Sequence, residues 1–303
     1  MLKVAASDGI KSRIEAVELD IFEWPDIPSA AYGIQNAPTN NSASMGLVTI
    51  RTEDGLVGHS FLGSSFRPVD IDARALTDVL RPRLIGRDAF AREELQALMV
   101  HLTKAITFRP IGAVDVALWD LAGKAAGLPV HRMLGTARDK IPTYASSPTF
   151  DTVEQYIEEV QSVREQGYRG YKIHPPHDER LHIPICKAVR EAVGNEYPLM
   201  FDASMVYTYE VALKVGLALQ DLGYEWYEDP LPVDDLFNYP KLCAELRIPV
   251  MATEYAFGGF HGFTPWILER ATDALRGDVA IKGGITPIIK AAHLAEAFRL
   301  PFE

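Results

Sequence analysis

The sequence predicts an α/β protein whose larger part is a parallel (β/α) barrel of the TIM type, preceded by an N-terminal α+β capping domain. Three observations carry this expectation. Short apolar runs, IPTYAS, GYKIH, LMFDA, WYED, PVMATE and DVAIK, start near residues 141, 170, 199, 226, 249 and 278, the repeat length of a strand, a helix and two loops. The segments between them, such as TVEQYIEEVQSVREQ and YEVALKVGLALQDLG, space their apolar residues as an amphipathic helix does. Finally, three carboxylates close three consecutive runs at one interval, Asp202, Glu228 and Glu254 (228 − 202 = 26; 254 − 228 = 26). Side chains at corresponding strand ends converge on one rim of such a barrel.

The N-terminal part reads differently. RIEAVELDIFEW alternates like a strand, and MGLVTIRTEDGLVGHSFLG gives two more strands joined at Glu53-Asp54-Gly55, a hairpin turn. Pro25 to Ser44, rich in Pro, Gly, Asn and Ser, is a long loop that we read as a lid over the barrel mouth. DARALTDVLRPRLIG and AREELQALMVHLTKA carry helical spacing, so residues 1–138 form the capping domain and 139–303 the barrel. Six βα units are visible and a seventh strand begins at LPFE; a closed barrel needs about eight, so the natural chain is expected to continue beyond Glu303.

Composition bounds the function. The 303 residues are 48% hydrophobic and 23% charged, as in an ordinary globular protein, and the formal charge of −11 argues against nucleic-acid or anionic-membrane partners. No apolar window is long enough to span a membrane, and no cleavable leader is evident, so a cytoplasmic protein is expected, assembled as a homo-oligomer. Cys186 and Cys243, both in helix-like segments, read as buried free thiols.

The strand ends carry the chemistry. Three carboxylates offer an all-oxygen set, which favours Mg²⁺, with Mn²⁺ next, over zinc. Lys172 and His174 stand two residues apart on one strand and therefore face the same side, next to the carboxylates. A neighbouring cation disfavours a second positive charge, so either residue could serve as a base. Tyr144 and Ser146 end the first barrel run and Asp278 belongs to the sixth.

Together, IGAVDVALWDLAGKAAGLPVHRMLG (residues 111–135), the carboxylates in FDAS, YEDP and ATEY, and GDVAIKGGIT (277–286) closely resemble the mandelate racemase branch of the enolase superfamily. The resemblance implies Mg²⁺ held by Asp202, Glu228 and Glu254, a basic pair at Lys172 and His174, and an enediolate formed by abstraction of the proton α to a carboxylate. It also implies that Asp278 orients a histidine on a seventh strand, expected just beyond Glu303; His293, on a helix, is not that residue. The commonest outcome in such a family is dehydration of an acid sugar to a 2-keto-3-deoxy acid; racemisation or epimerisation of a 2-hydroxy acid is the alternative. The small carboxylate substrate would be chosen by the loops, with Tyr32, Asn36 and Arg67 as contacts beside Tyr144 and Ser146. A Schiff-base lyase using Lys172, and a non-catalytic metal scaffold, are the rival classes. Asp115 and Asp120 read as structural, and Lys282-Gly283-Gly284 as a tight turn.

Overall fold

The alternation in the N-terminal segment does form a sheet. The computed structural model describes residues 12–24, 43–64 and 67–303, within which β1 (Ile14–Trp24), β2 (Ala43–Thr52) and β3 (Val57–Ser64) make an antiparallel meander. β2 and β3 turn at Glu53-Asp54-Gly55, where Gly55 N–H bonds Thr52 O at 2.9 Å. Val17, Val48, Ile50 and Leu62 share the buried face, as period-two alternation requires. The lid expectation falls on 25–42, outside the described residues; Ala43 and Ser44 already belong to β2.

Helices follow: α1 (Asp70–Arg74) and α2 (Arg81–Leu84), joined by a π-helical stretch over Ala75–Leu80, then α3 (Arg92–Val100), α4 (Phe108–Ala126) and α5 (Val130–Met133). α4 packs on β3 so closely that a Cβ at Gly58 would lie 2.0 Å from Ala117 O. Gly127, left-handed at φ 65°, ends that helix. The chain divides into two compact units, and 278–289 clusters with this N-terminal unit, not with the barrel strands.

The second unit is a run of βα repeats: β4 (Ala145–Ser146), α6 (Val153–Glu165), β5 (Tyr171–Ile173), α7 (His182–Val193), β6 (Leu199–Asp202), α8 (Tyr209–Asp221), β7 (Trp226–Glu228), α9 (Tyr239–Glu245), β8 (Val250–Ala252), α10 (Phe263–Leu268) and β9 (Ala274–Leu275). α11 (Ile285–Phe298) follows. The six strands are parallel and pair in sequence order, β4 to β9. Helix starts are written locally: Thr152 and Gln155 form a reciprocal capping box on α6, and Thr208 caps α8. Ile173, Phe201, Tyr227 and Val250 point from the strands to the helices and build the core of this unit. Within LPFE, Phe302 pairs with Leu275 in an isolated parallel bridge beside β9.

One predicted strand is wrong. DVAIK winds as turns, with the Asp278 carboxylate accepting from Ala280 N at 2.6 Å and Lys282 N bonding Asp278 O at 2.9 Å; the sixth strand is Ala274–Leu275, four residues earlier. An aspartate that caps its own following turn competes with the ladder, and the β-branched residues of DVAIK do not outweigh that.

Candidate active site

Period-two alternation separates the two sides of each barrel strand. Ile173, Phe201 and Tyr227 face the helices, so Lys172, Asp202 and Glu228 face the other way, and all three are buried. Register places Asp202 directly beside Glu228 and Lys172 beside Ser146. Two like charges at adjacent positions need a cation, and Lys172 supplies one: its Nζ donates to Glu228 Oε2 at 2.8 Å and to Asp202 Oδ2 at 3.4 Å. Burial alone would lower the Lys172 pKa, but Glu228 and Asp202 outweigh it and hold the ammonium charged.

His174 lies one inward position nearer the carboxyl rim. Its Nδ1 is 2.8 Å from Ser147 O, and since a carbonyl only accepts, Nδ1 carries a proton. Nε2 lies 3.0 Å from Asp202 Oδ2, a carboxylate oxygen that also only accepts, so in this arrangement Nε2 donates to Asp202. Burial would raise the Asp202 carboxyl, but Lys172 and then His174 press it well below the usual range. Glu228 goes the other way, raised by burial and by Asp202 beyond what Lys172 and Arg276 offset.

The structure brings Glu254 to the same rim, together with an acid that the sequence reading passed over. Glu228, Asp229 and Glu254 each place a carboxylate oxygen within 4.8 Å of the other two. Asp229 is raised well above the ordinary range by burial and by Asp202, Glu228 and Glu254 around it. Asp202 stands outside this trio, its Oδ2 engaged by Lys172 and His174 and its Oδ1 accepting from Ser204 N at 2.8 Å. Left-handed backbone follows or precedes each acid, at Ser204 (φ 55°), Met205 (63°), Asp229 (40°) and Thr253 (94°). Strain of that kind in non-glycine residues concentrates at functional rims.

Arg276, just past β9, is the second residue the sequence reading missed. Its Nε is 3.1 Å from Glu228 Oε1 and 3.6 Å from Glu254 Oε1, while Nη1 donates to Glu303 Oε2 at 2.8 Å and to Tyr144 Oη at 3.3 Å. Tyr144, also bonded to Glu303, thus belongs to the ion-pair network, and Ser146 is exposed beside Lys172. Glu228 Oε1 is buried without a well-directed hydrogen bond. An under-satisfied carboxylate oxygen among all-oxygen donors fits a hard divalent cation.

Tyr32 and Asn36 are outside the described residues. Arg67 closes its fork on Asp72, at 2.7 and 3.0 Å, in the N-terminal unit. Asp278 also falls in that unit. There Asp115 accepts from Thr286 N at 2.9 Å and Trp119 Nε1 donates to Thr286 Oγ1 at 3.0 Å, so the helix motif and the glycine-rich motif are packing partners. At Gly284, φ 113°, a Cβ would lie 2.3 Å from Asp115 Oδ2.

Comparison with known proteins gives the family. Residues 155–303 match the family described as enolase C-terminal domain-like, and residues 29–135 match the mandelate racemase / muconate lactonizing enzyme N-terminal domain. The chain belongs to the mandelate racemase/muconate lactonizing enzyme family of the enolase superfamily. Within this family it is 31% identical to arabinonate dehydratase of Saccharolobus solfataricus over 263 residues, 83% of this chain and 69% of that one. It is 30% identical to L-talarate/galactarate dehydratase of Salmonella typhimurium, of which it spans 64%. The crystal structure of D-glucarate dehydratase from Agrobacterium tumefaciens, complexed with magnesium, superposes with a TM-score of 0.87 at 33% identity, covering 96% of this chain and 80% of that one.

Proposed function

We propose that the protein is a Mg²⁺-dependent acid-sugar dehydratase, removing the proton α to a carboxylate and expelling the β-hydroxyl as water to leave a 2-keto-3-deoxy acid. Family members similar to this chain are named as arabinonate, galactarate and glucarate dehydratases, which supports the substrate class. The observation that carries the reading is the His174–Asp202–Lys172–Glu228 chain at the ends of adjacent parallel strands.

Asp202, Glu228 and Glu254 would hold the metal, with Asp229 packed against the last two. When bound, Mg²⁺ supplies positive charge to the substrate carboxylate and so stabilises the enediolate more than the ground state. The chain's own residues do the rest. Ser147 fixes the His174 ring through Nδ1–H, which presents Nε2 as the proton acceptor once Nε2 has given up the proton it shares with Asp202 and Asp202 turns its oxygens elsewhere. Lys172, donating to Glu228 and Asp202 one inward position deeper than the base, stands beside the developing anion and would stabilise it. In balance, the α C–H pair becomes the C=C of an enol as the β C–O bond breaks; the leaving oxygen takes a proton to depart as water, and the enol tautomerises to the ketone. Ser146, exposed at the mouth, is placed to bind a substrate hydroxyl.

The test is a panel of aldonic and aldaric acids, including arabinonate, galactarate and glucarate, incubated with protein and Mg²⁺ and assayed for keto acid as the semicarbazone. Keto acid from at least one acid sugar, abolished by EDTA, is expected. Change of optical rotation without keto acid would replace dehydration by racemisation, and a borohydride-trapped adduct on Lys172 would replace both.

A further inference from the structure

We infer that Arg276 is a built-in counter-ion of the metal site, a positioning residue that stands between Glu228 and Glu254 and sets how tightly they take Mg²⁺. The inference rests on the proposed role of those carboxylates and extends it to a residue that is neither base nor ligand.

Three features of Arg276 lead there. Its near nitrogen, Nε, approaches both carboxylates, at 3.1 and 3.6 Å, yet forms no well-directed hydrogen bond to Glu228 Oε1. Its far nitrogen, Nη1, is well bonded to Glu303 at 2.8 Å, with Tyr144 Oη at 3.3 Å. Its backbone is pinned, N–H to Thr253 Oγ1 at 3.0 Å and C=O accepting from the same hydroxyl at 2.8 Å. The guanidinium therefore pivots between an anchored end and a loosely engaged one. Drawing Nε away from Glu228 and Glu254 leaves the charge still paired with Glu303, so yielding to a cation costs little. While Nε stays, its positive charge opposes a second cation at the same oxygens.

Calorimetric titration of Mg²⁺ into the wild-type protein, Arg276→Gln and Arg276→Lys tests this directly. Arg276→Gln is expected to bind Mg²⁺ about tenfold more tightly or better, with Arg276→Lys intermediate. Guanidinium at millimolar concentration should return Arg276→Gln towards wild-type affinity and leave the wild type unchanged, a response that a merely structural role would not give. Unchanged or weaker Mg²⁺ binding in folded Arg276→Gln overturns the inference. Should that variant not fold without metal, Arg276→Lys must shift in the same direction, and in ¹⁵N-arginine-labelled wild type one Nε resonance must move on Mg²⁺ titration; no movement overturns it too. Glu228→Gln separates the two readings: if it binds Mg²⁺ as the wild type does, the metal assignment itself fails, whatever the Arg276 variants show.

Discussion

Replacing Lys172 with methionine keeps the length of the side chain and deletes its charge, leaving Asp202 and Glu228 adjacent and buried with no ammonium between them. Lys172 is 2% exposed and its Nζ contacts lie at 2.8 and 3.4 Å, so this is removal of one partner from a buried ion-paired set. Such a loss costs about 3–5 kcal/mol, far more than a surface pair. For a chain of 303 residues that lowers the melting temperature by roughly 5–8 °C. The sign of the pH dependence follows from the two carboxyls. Glu228 is already raised in the folded protein by burial and Asp202, and losing Lys172 raises it further; Asp202, depressed by Lys172 against its burial, rises as well. Both changes make the folded variant take up protons more readily than the wild type, so its deficit shrinks as pH falls and widens as pH rises. Scanning calorimetry in EDTA at pH 6 and pH 8 reads this out, and repeating it in excess Mg²⁺ should narrow the gap, since the cation supplies the missing countercharge. A Lys172→Met protein that melts within about 2 °C of the wild type at pH 8 without metal would refute the reasoning.

Two further predictions concern the N-terminal unit. Burial raises Asp115 to about 6 against the hydrogen bonds from Thr286; an acid raised on folding stabilises below its unfolded pKa of about 3.9 and loses that stability as pH climbs through 6. Urea denaturation from pH 4 to 7 should therefore show Asp115→Asn with a flatter profile by about 2 kcal/mol; parallel profiles would contradict the shift. Gly284→Ala puts a methyl 2.3 Å from Asp115 Oδ2 at a left-handed φ of 113°, and a loss of about 3 kcal/mol or failure to fold is expected; a fully stable Gly284→Ala would show that the turn can relax.

The sequence made the barrel repeat legible because each βα unit ends a strand at the same rim; Asp202 and Glu228 end paired strands in register, whereas Glu254 lies two residues past β8, beyond the left-handed Thr253, so equal spacing marked the rim and not equal positions on it. Lys172 and His174 were legible for a similar reason: on a three-residue strand and its first exit residue, alternation still holds. Asp229 was hidden by the same rule. As the neighbour of Glu228 it should face away, but the chain leaves the strand there at φ 40° and brings both acids to one place. Arg276 was hidden because its strand is two residues, Ala274–Leu275, between Asp273 and the arginine itself, while the more apolar DVAIK nearby mimics a strand and instead follows the cap at Asp278. Local periodicity cannot see either exit, since both depend on which backbone groups the next loop satisfies.

In the proposed mechanism His174 Nε2, oriented by Ser147 and released by Asp202, takes the α-proton while Lys172 stands one inward position deeper. Proton NMR in D₂O, following the α-proton of the acid sugar that turns over best, tests it in His174→Asn, whose amide can keep the Ser147 contact but has no Nε2. Exchange and keto-acid formation should both fall by about 10³-fold, with Mg²⁺ affinity and melting temperature near wild type. Exchange within tenfold of wild type in a folded, Mg²⁺-binding His174→Asn protein would contradict the account and move the base elsewhere in the site.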